Sequence, residues 1–140
     1  MPITTYNEID LKHDSIKLKC PFENCNTTLI KYSQDLQLIN VKNSPNLIKA
    51  TAEKPIMNES PIQFYKIDDV WAFDNIGVSK PTEIKTAPEF ENEIIQVERI
   101  LICSECDKGP LGFAGIPLNK DNDHNNLIYY LNVESVLYEY

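Results

Sequence analysis

The residues best suited to chemistry in this chain are its four cysteines, which fall into two close pairs. Cys20-Pro-Phe-Glu-Asn-Cys25 forms one pair, and Cys103-Ser-Glu-Cys106 forms the other. Short spacings of this kind let both sulfurs of a turn face one ion, and two such turns supply the four thiolates of a tetrahedral zinc site. Residues 26–102 separate the pairs, so the pattern is not a compact zinc ribbon and would instead tie together two remote turns. A full thiolate set leaves no open coordination position, so the metal is expected to be structural. Its contribution can be large, since structural zinc binds peptide ligands with roughly 10–16 kcal/mol. Free thiols and small-loop disulfides are the competing readings. The even pairing and the lack of any leftover cysteine weigh against both. His13 and His124 lie in polar surroundings and are read as exposed residues, not ligands.

The elements that must position these thiols are predominantly strands. Ser15 to Cys20 alternates apolar and basic side chains, which predicts a half-buried strand running into the first turn. The stretch Asn-Thr-Thr-Leu-Ile-Lys-Tyr that follows Cys25 predicts the returning strand of a hairpin. Leu36 to Val41 predicts a third strand. Near 42–61 the sequence turns polar and proline-marked, which predicts a flexible excursion. Asp69 to Val78 is short and aromatic, and a second polar excursion is expected near 79–93. Ile94 to Cys103 is β-branched and predicts a long strand delivering the second pair, with a returning strand in Leu-Gly-Phe-Ala-Gly-Ile-Pro-Leu. The aromatic tail from Leu127 closes the domain with one or two strands, although Val133 to Tyr138 could form a helical turn. The expected fold is mainly β, a single domain over 1–140 built from antiparallel sheets.

Composition narrows the function. Hydrophobic residues make up 42% of the chain, enough for a packed core, and the formal net charge is −8. An acidic chain lacks the basic face needed to displace counterions from nucleic acid, and it disfavours direct contact with an anionic membrane. A basic protein surface remains a suitable partner. The N-terminal sequence lacks the basic-then-apolar order of a secretory signal, and no run approaches the ~20 apolar residues of a membrane span. A cytoplasmic protein is therefore expected, where paired cysteines more often mean metal than disulfide. With the cysteines committed, no nucleophile–base arrangement stands out, which favours a binding module over an enzyme.

Two segments become specific when taken together. Asp68 to Lys80 (DDVWAFDNIGVSK) and Arg99 to Phe113 (RILICSECDKGPLGF) resemble the Mss/Dss family of Rab guanine-nucleotide release factors, and Cys20 to Cys25 (CPFENC) is similar to the fungal branch. The order of features agrees along nearly the whole chain. The resemblance implies the β-tent fold of that family with a four-cysteine zinc site. It also implies a regulatory role: capture of nucleotide-free exocytic Rab GTPases in vesicular transport, as exchange factor or as holdase, with peripheral membrane placement through the Rab and no covalent catalysis. A monomer is expected. The Rab-binding surface is expected from Asp69, Trp71, Phe73 and Asn75, with Glu105, Asp107 and Lys108 from the second cysteine turn. Strand alternation would place the first four on one face. One departure is Ser104-Glu105, where the family carries Ala-Asp; Glu105 keeps the charge on a side chain one methylene longer. Rival readings are a zinc-stabilised adaptor without exchange activity, and a methionine sulfoxide reductase-like enzyme. The latter requires a further cysteine that this chain lacks.

Overall fold

The computed structural model describes residues 2–50, 55–79, 87–118 and 126–140, and within them lie thirteen strands and the two complete 3-10 turns Val70–Ala72 and Val133–Ser135. In chain order the strands are β1 (Ile3–Thr4), β2 (Lys17–Lys19), β3 (Thr28–Lys31), β4 (Gln37–Asn40), β5 (Leu47–Lys49), β6 (Ile56–Asn58) and β7 (Gln63–Ile67). After them come β8 (Ile76–Val78), β9 (Glu89–Phe90), β10 (Glu93–Cys103), β11 (Gly112–Pro117), β12 (Ile128–Asn132) and β13 (Leu137–Glu139). All of the pairings are antiparallel. A four-stranded sheet has the order β1-β13-β2-β3 and carries the first cysteine turn. A larger sheet, β4-β7-β12-β11-β10-β8 with β9 on β10, carries the second, and β5 and β6 form a separate hairpin. The mainly antiparallel β architecture read from the sequence is the observed one.

The main core lies between the two sheets. Leu18, Leu29, Ile30 and Tyr138 from the small sheet meet Tyr65, Ile67, Leu101, Ala114, Tyr129 and Leu131 from one face of the large sheet. A buried polar link crosses this layer. The Tyr138 hydroxyl donates to the Val133 carbonyl at 2.9 Å, so its only proton is used and the Tyr65 hydroxyl, 3.1 Å away, must donate to it. Removing either phenol from water without such a partner would be costly.

A second cluster occupies the opposite face of the large sheet, with Phe64, Ile95, Val97, Phe113 and Tyr130 packed against Ile39 and Leu47. β10 serves both clusters because of a bulge. Val97 pairs with Gly115 and Arg99 with Ala114, which leaves Glu98 as an extra residue. Ile95 and Val97 therefore face the second cluster, while Leu101 and Cys103 face the first. Simple period-two alternation would have sent all four to one side.

The stretch near 42–61 supplies more structure than its polar text suggests. Leu47, Ile48 and Ala50 are buried, the Ile48 amide donates to the Pro110 carbonyl at 2.9 Å, and the Ala50 amide donates to the Glu134 carbonyl at 2.7 Å. A few apolar residues spaced by lysine and asparagine are enough to cover the second face. Residues 51–54 lie outside the described residues, as do 80–86 of the 79–93 segment, within which β9 pairs with β10. His124 also lies outside them.

Gly112 shows how closely the sheet packs. A Cβ at this position would collide with the Tyr130 carbonyl oxygen and press on the Leu131 Cα at 3.0 Å. Both are backbone atoms of a central strand and cannot swing away. Gly112→Ala is expected to destabilise the domain by about 1–3 kcal/mol or more, read as a lowered urea midpoint. An unchanged midpoint would show that β11 and β12 can separate without cost.

Candidate metal centre

Each cysteine pair is held at a hairpin end by a local backbone feature. In the first turn the Cys20 amide donates to the Thr27 carbonyl at 2.8 Å and the Cys25 amide to the Phe22 carbonyl at 3.2 Å. Asn24 and Asn26 adopt left-handed conformations, with φ of 67° and 52°, a region that asparagine tolerates well. In the second turn the Cys103 amide donates to the Lys108 carbonyl at 3.0 Å and the Asp107 amide to the Cys103 carbonyl at 2.9 Å, with Asp107 at φ 59°. These reversals point both sulfurs of each turn at a common centre.

The two turns meet. All four Sγ atoms lie within 4.8 Å of one another. Cys20 Sγ is 3.7 Å from Cys106 Sγ, and Cys25 Sγ is 3.6 Å from Cys103 Sγ, each contact joining one hairpin to the other. A disulfide requires about 2.05 Å, so these are free thiols. Four sulfurs placed tetrahedrally about 2.3 Å from an ion would be ~3.8 Å apart, which the observed spacing fits. The donor set thus suits a soft metal ion held with no position to spare.

Burial raises the Cys20 thiol well above its ordinary range and raises that of Cys103 as well. Backbone amides oppose this: that of Phe22 at Cys20, and those of Cys106 and Glu105 at Cys103. At the more exposed Cys25, burial also works against ionisation. There the Thr27 hydroxyl and amide outweigh it, with help from Cys20 and Cys103, and bring the thiol down to about 7. Thr27 Oγ1 lies 3.3 Å from Cys25 Sγ. Thr27 was not among the residues singled out from the sequence, where it reads only as part of a strand.

The surface beside the centre differs from the expected face of a strand. Val70–Ala72 is a 3-10 turn, capped by the Asp69 carboxylate accepting from the Trp71 amide at 3.0 Å. With about three residues per turn, side chains two positions apart no longer share a face. Trp71 is 88% exposed, whereas Phe73 is only 8% exposed and packs edge-on against Tyr129 at 6.1 Å. Phe73 is therefore a core residue that does not share a face with Trp71, which corrects the grouping made from alternation. The Asn75 side chain is also turned inward, its amide donating to the Thr28 carbonyl at 2.8 Å. Glu105, Asp107 and Lys108 are exposed at the second turn, and Lys108 Nζ lies 5.7 Å from the centre of the Phe22 ring on the first turn. Phe22 thus joins the two turns on the outside of the sulfur cluster, a contact that no sequence spacing signals.

The Mss4 protein family model matches residues 15–138, which include both cysteine pairs and the Trp71 segment. The chain belongs to the Mss4 family. Protein DSS4 of Saccharomyces cerevisiae is 28% identical over 139 residues, covering 86% of this chain and 94% of that protein. The guanine nucleotide exchange factor MSS4 homolog of Schizosaccharomyces pombe is 36% identical over 61 residues, covering 44% of this chain and 46% of that protein. The Mss4-family match begins before the first cysteine turn and ends inside β13, so it takes in both of the sheets that the sulfurs join. Among the described residues no helix is long and apolar enough to cross a membrane.

A metal at this centre must displace protons from Cys20 and Cys103, whose raised thiols hold them at neutral pH, and from Cys25 once pH falls below about 7. Metal affinity is therefore expected to fall as pH falls, by roughly tenfold per pH unit for each proton displaced. Competition titration against a chromophoric chelator between pH 8 and 6 would read this, and a flat profile would contradict it.

Proposed function

We propose that this chain captures the nucleotide-free form of Rab-family small GTPases of exocytic vesicle transport and so promotes guanine-nucleotide release, with zinc as the ion of its cysteine centre. One observation carries this reading within an Mss4-family chain: the strongly exposed Trp71 and the acidic turn bearing Glu105 and Asp107 sit on adjoining segments. The Ser104 amide donates to the Asn75 carbonyl at 3.5 Å, and Cys103 pairs with Ile76 of β8. A large aromatic in water beside fixed charges has the composition of an interface anchor. Asp69, already committed to capping the 3-10 turn, flanks it. The name of the S. pombe relative, a guanine nucleotide exchange factor homolog, supports the same reading.

The mechanism needs no covalent step. Nucleotide held at picomolar affinity corresponds to about 16 kcal/mol, and a factor speeds its loss only by binding the emptied GTPase better than the filled one. By reciprocity, incoming nucleotide expels the factor. The cysteine centre would serve this indirectly: a turn already fixed by four sulfur–metal bonds loses little freedom on binding. The net charge of −8 would steer the chain toward a basic partner surface. Four zinc thiolates have no place for substrate, so the ion would hold shape and take no part in exchange. Such a protein would act as a monomer in the cytoplasm, reaching vesicle or plasma membranes through its Rab.

Trp71→Ala and Glu105→Lys are each expected to weaken capture of nucleotide-depleted Rab by roughly tenfold or more, with metal content unchanged. Titration calorimetry checks this, and wild-type affinity in both variants would remove the surface from the interface. Release of a fluorescent guanine nucleotide at substoichiometric factor tests exchange itself. Turnover beyond one Rab per factor is the expected result, and release that stops at equivalence would favour a stoichiometric holdase.

A further inference from the structure

Asn75 sits where three separately built parts of the molecule touch. Its side-chain amide donates to the Thr28 carbonyl at 2.8 Å, the first residue of β3 in the small sheet. Its backbone amide, together with that of Asp74, donates to the Leu29 carbonyl, at 3.3 and 2.7 Å. Its own carbonyl accepts from the Ser104 amide, inside the second cysteine turn. Two residues before it, Phe73 is sunk in the core, and two residues before that, Trp71 stands in solvent. β3 follows directly on the first cysteine turn, so Asn75 fastens the Trp71 segment to both halves of the sulfur cluster. The backbone bonds are open to any residue. The bond to Thr28 is the one that requires an amide side chain, because a carboxylate would face a carbonyl oxygen and alanine would leave that oxygen without its donor.

We propose that Asn75 is a positioning residue that couples the four-cysteine centre to Trp71, holding the aromatic anchor and the acidic turn in one fixed relative placement. This deepens the proposed Rab-binding reading and rests on it for the binding arm of its test. Asn75 acts through Trp71 and does not itself touch the partner. The placement is set before any partner arrives, which lowers the ordering cost of binding.

Trp71 is the only tryptophan in the chain, so its fluorescence reports this segment alone. In metal-loaded protein, Asn75→Ala and Asn75→Asp are expected to give faster Trp71 depolarisation and stronger acrylamide quenching, with metal stoichiometry and cooperative unfolding retained. Capture of nucleotide-free Rab is expected to fall roughly tenfold in Asn75→Ala. In a Trp71→Ala background the same substitution should then cost at most about twofold, because the anchor it positions is gone. Unchanged Trp71 dynamics in both variants would overturn the proposal, as would full additivity of the two substitutions, which would make Asn75 a direct contact. Should the wild-type protein capture no nucleotide-free Rab, the proposed function fails by itself, and the fluorescence of the free protein still decides whether Asn75 positions Trp71.

Discussion

Two hairpins that belong to different sheets must bring four sulfurs to one point, and most of the molecule is arranged around that requirement. The small sheet has only four short strands, with β1 no more than two residues long, and a sheet of that size has little independent stability. It is joined to the larger sheet by the shared core, by the hydrogen bonds of Asp74 and Asn75 to β3, and by the two sulfur contacts, Cys20 with Cys106 and Cys25 with Cys103, each spanning a long loop of chain. Closing loops of that length costs entropy that grows only slowly with length, so a cross-link between remote positions restricts the unfolded chain strongly. An ion at this centre would thus act on the whole domain, because both sheets end at it.

The interior and the exterior of the Trp71 segment are settled by the same few residues. A strand would have given Trp71 and Phe73 a common fate. The 3-10 turn, started by the Asp69 cap, rotates them apart, so one fills a gap against Tyr129 and the other is presented to solvent. The segment then passes over the edge of β3 and joins β10 as β8, next to the second cysteine turn. A local capping interaction thereby decides which aromatic a partner could reach, while pairing to β10 decides where that aromatic lies relative to Glu105 and Asp107.

The cysteine cluster was legible in the sequence because metal spacing is a short-range signal that survives whatever fold surrounds it. The long strand ending at Cys103, its return through Gly112 and the hairpin after Ser15 were legible for a related reason: their apolar periodicity extends over enough residues to be read. Three features were not. Leu47, Ile48 and Ala50 are buried by tertiary contacts to Pro110 and Glu134, in a stretch whose composition is that of a loop. The Val70–Ala72 turn is set by one carboxylate–amide contact, and Asp-x-Trp fits a strand equally well on paper. Asn75 reads as a surface polar residue, since nothing local announces a bond to Thr28 far away in the chain. For the buried 47–50 stretch and for Asn75 a long-range partner overrode the local pattern, whereas the 3-10 turn rests on a two-residue contact that a strand-like pattern hides.

The bulge at Glu98 carries a consequence for how this chain can vary. It inverts the parity of β10 between Val97 and Arg99, and Cys103 reaches the sulfur cluster only because of that inversion. Deleting Glu98 would remove the bulge and restore simple alternation, with Ile95 and Cys103 still on opposite faces, whereas inserting one residue after the bulge would present Ile102 where the thiol now sits. The one single-residue change the strand can absorb is thus the loss of the bulge itself, while the spacing from Arg99 to Cys103, which sets where the thiol points, is constrained like the spacing between the cysteines.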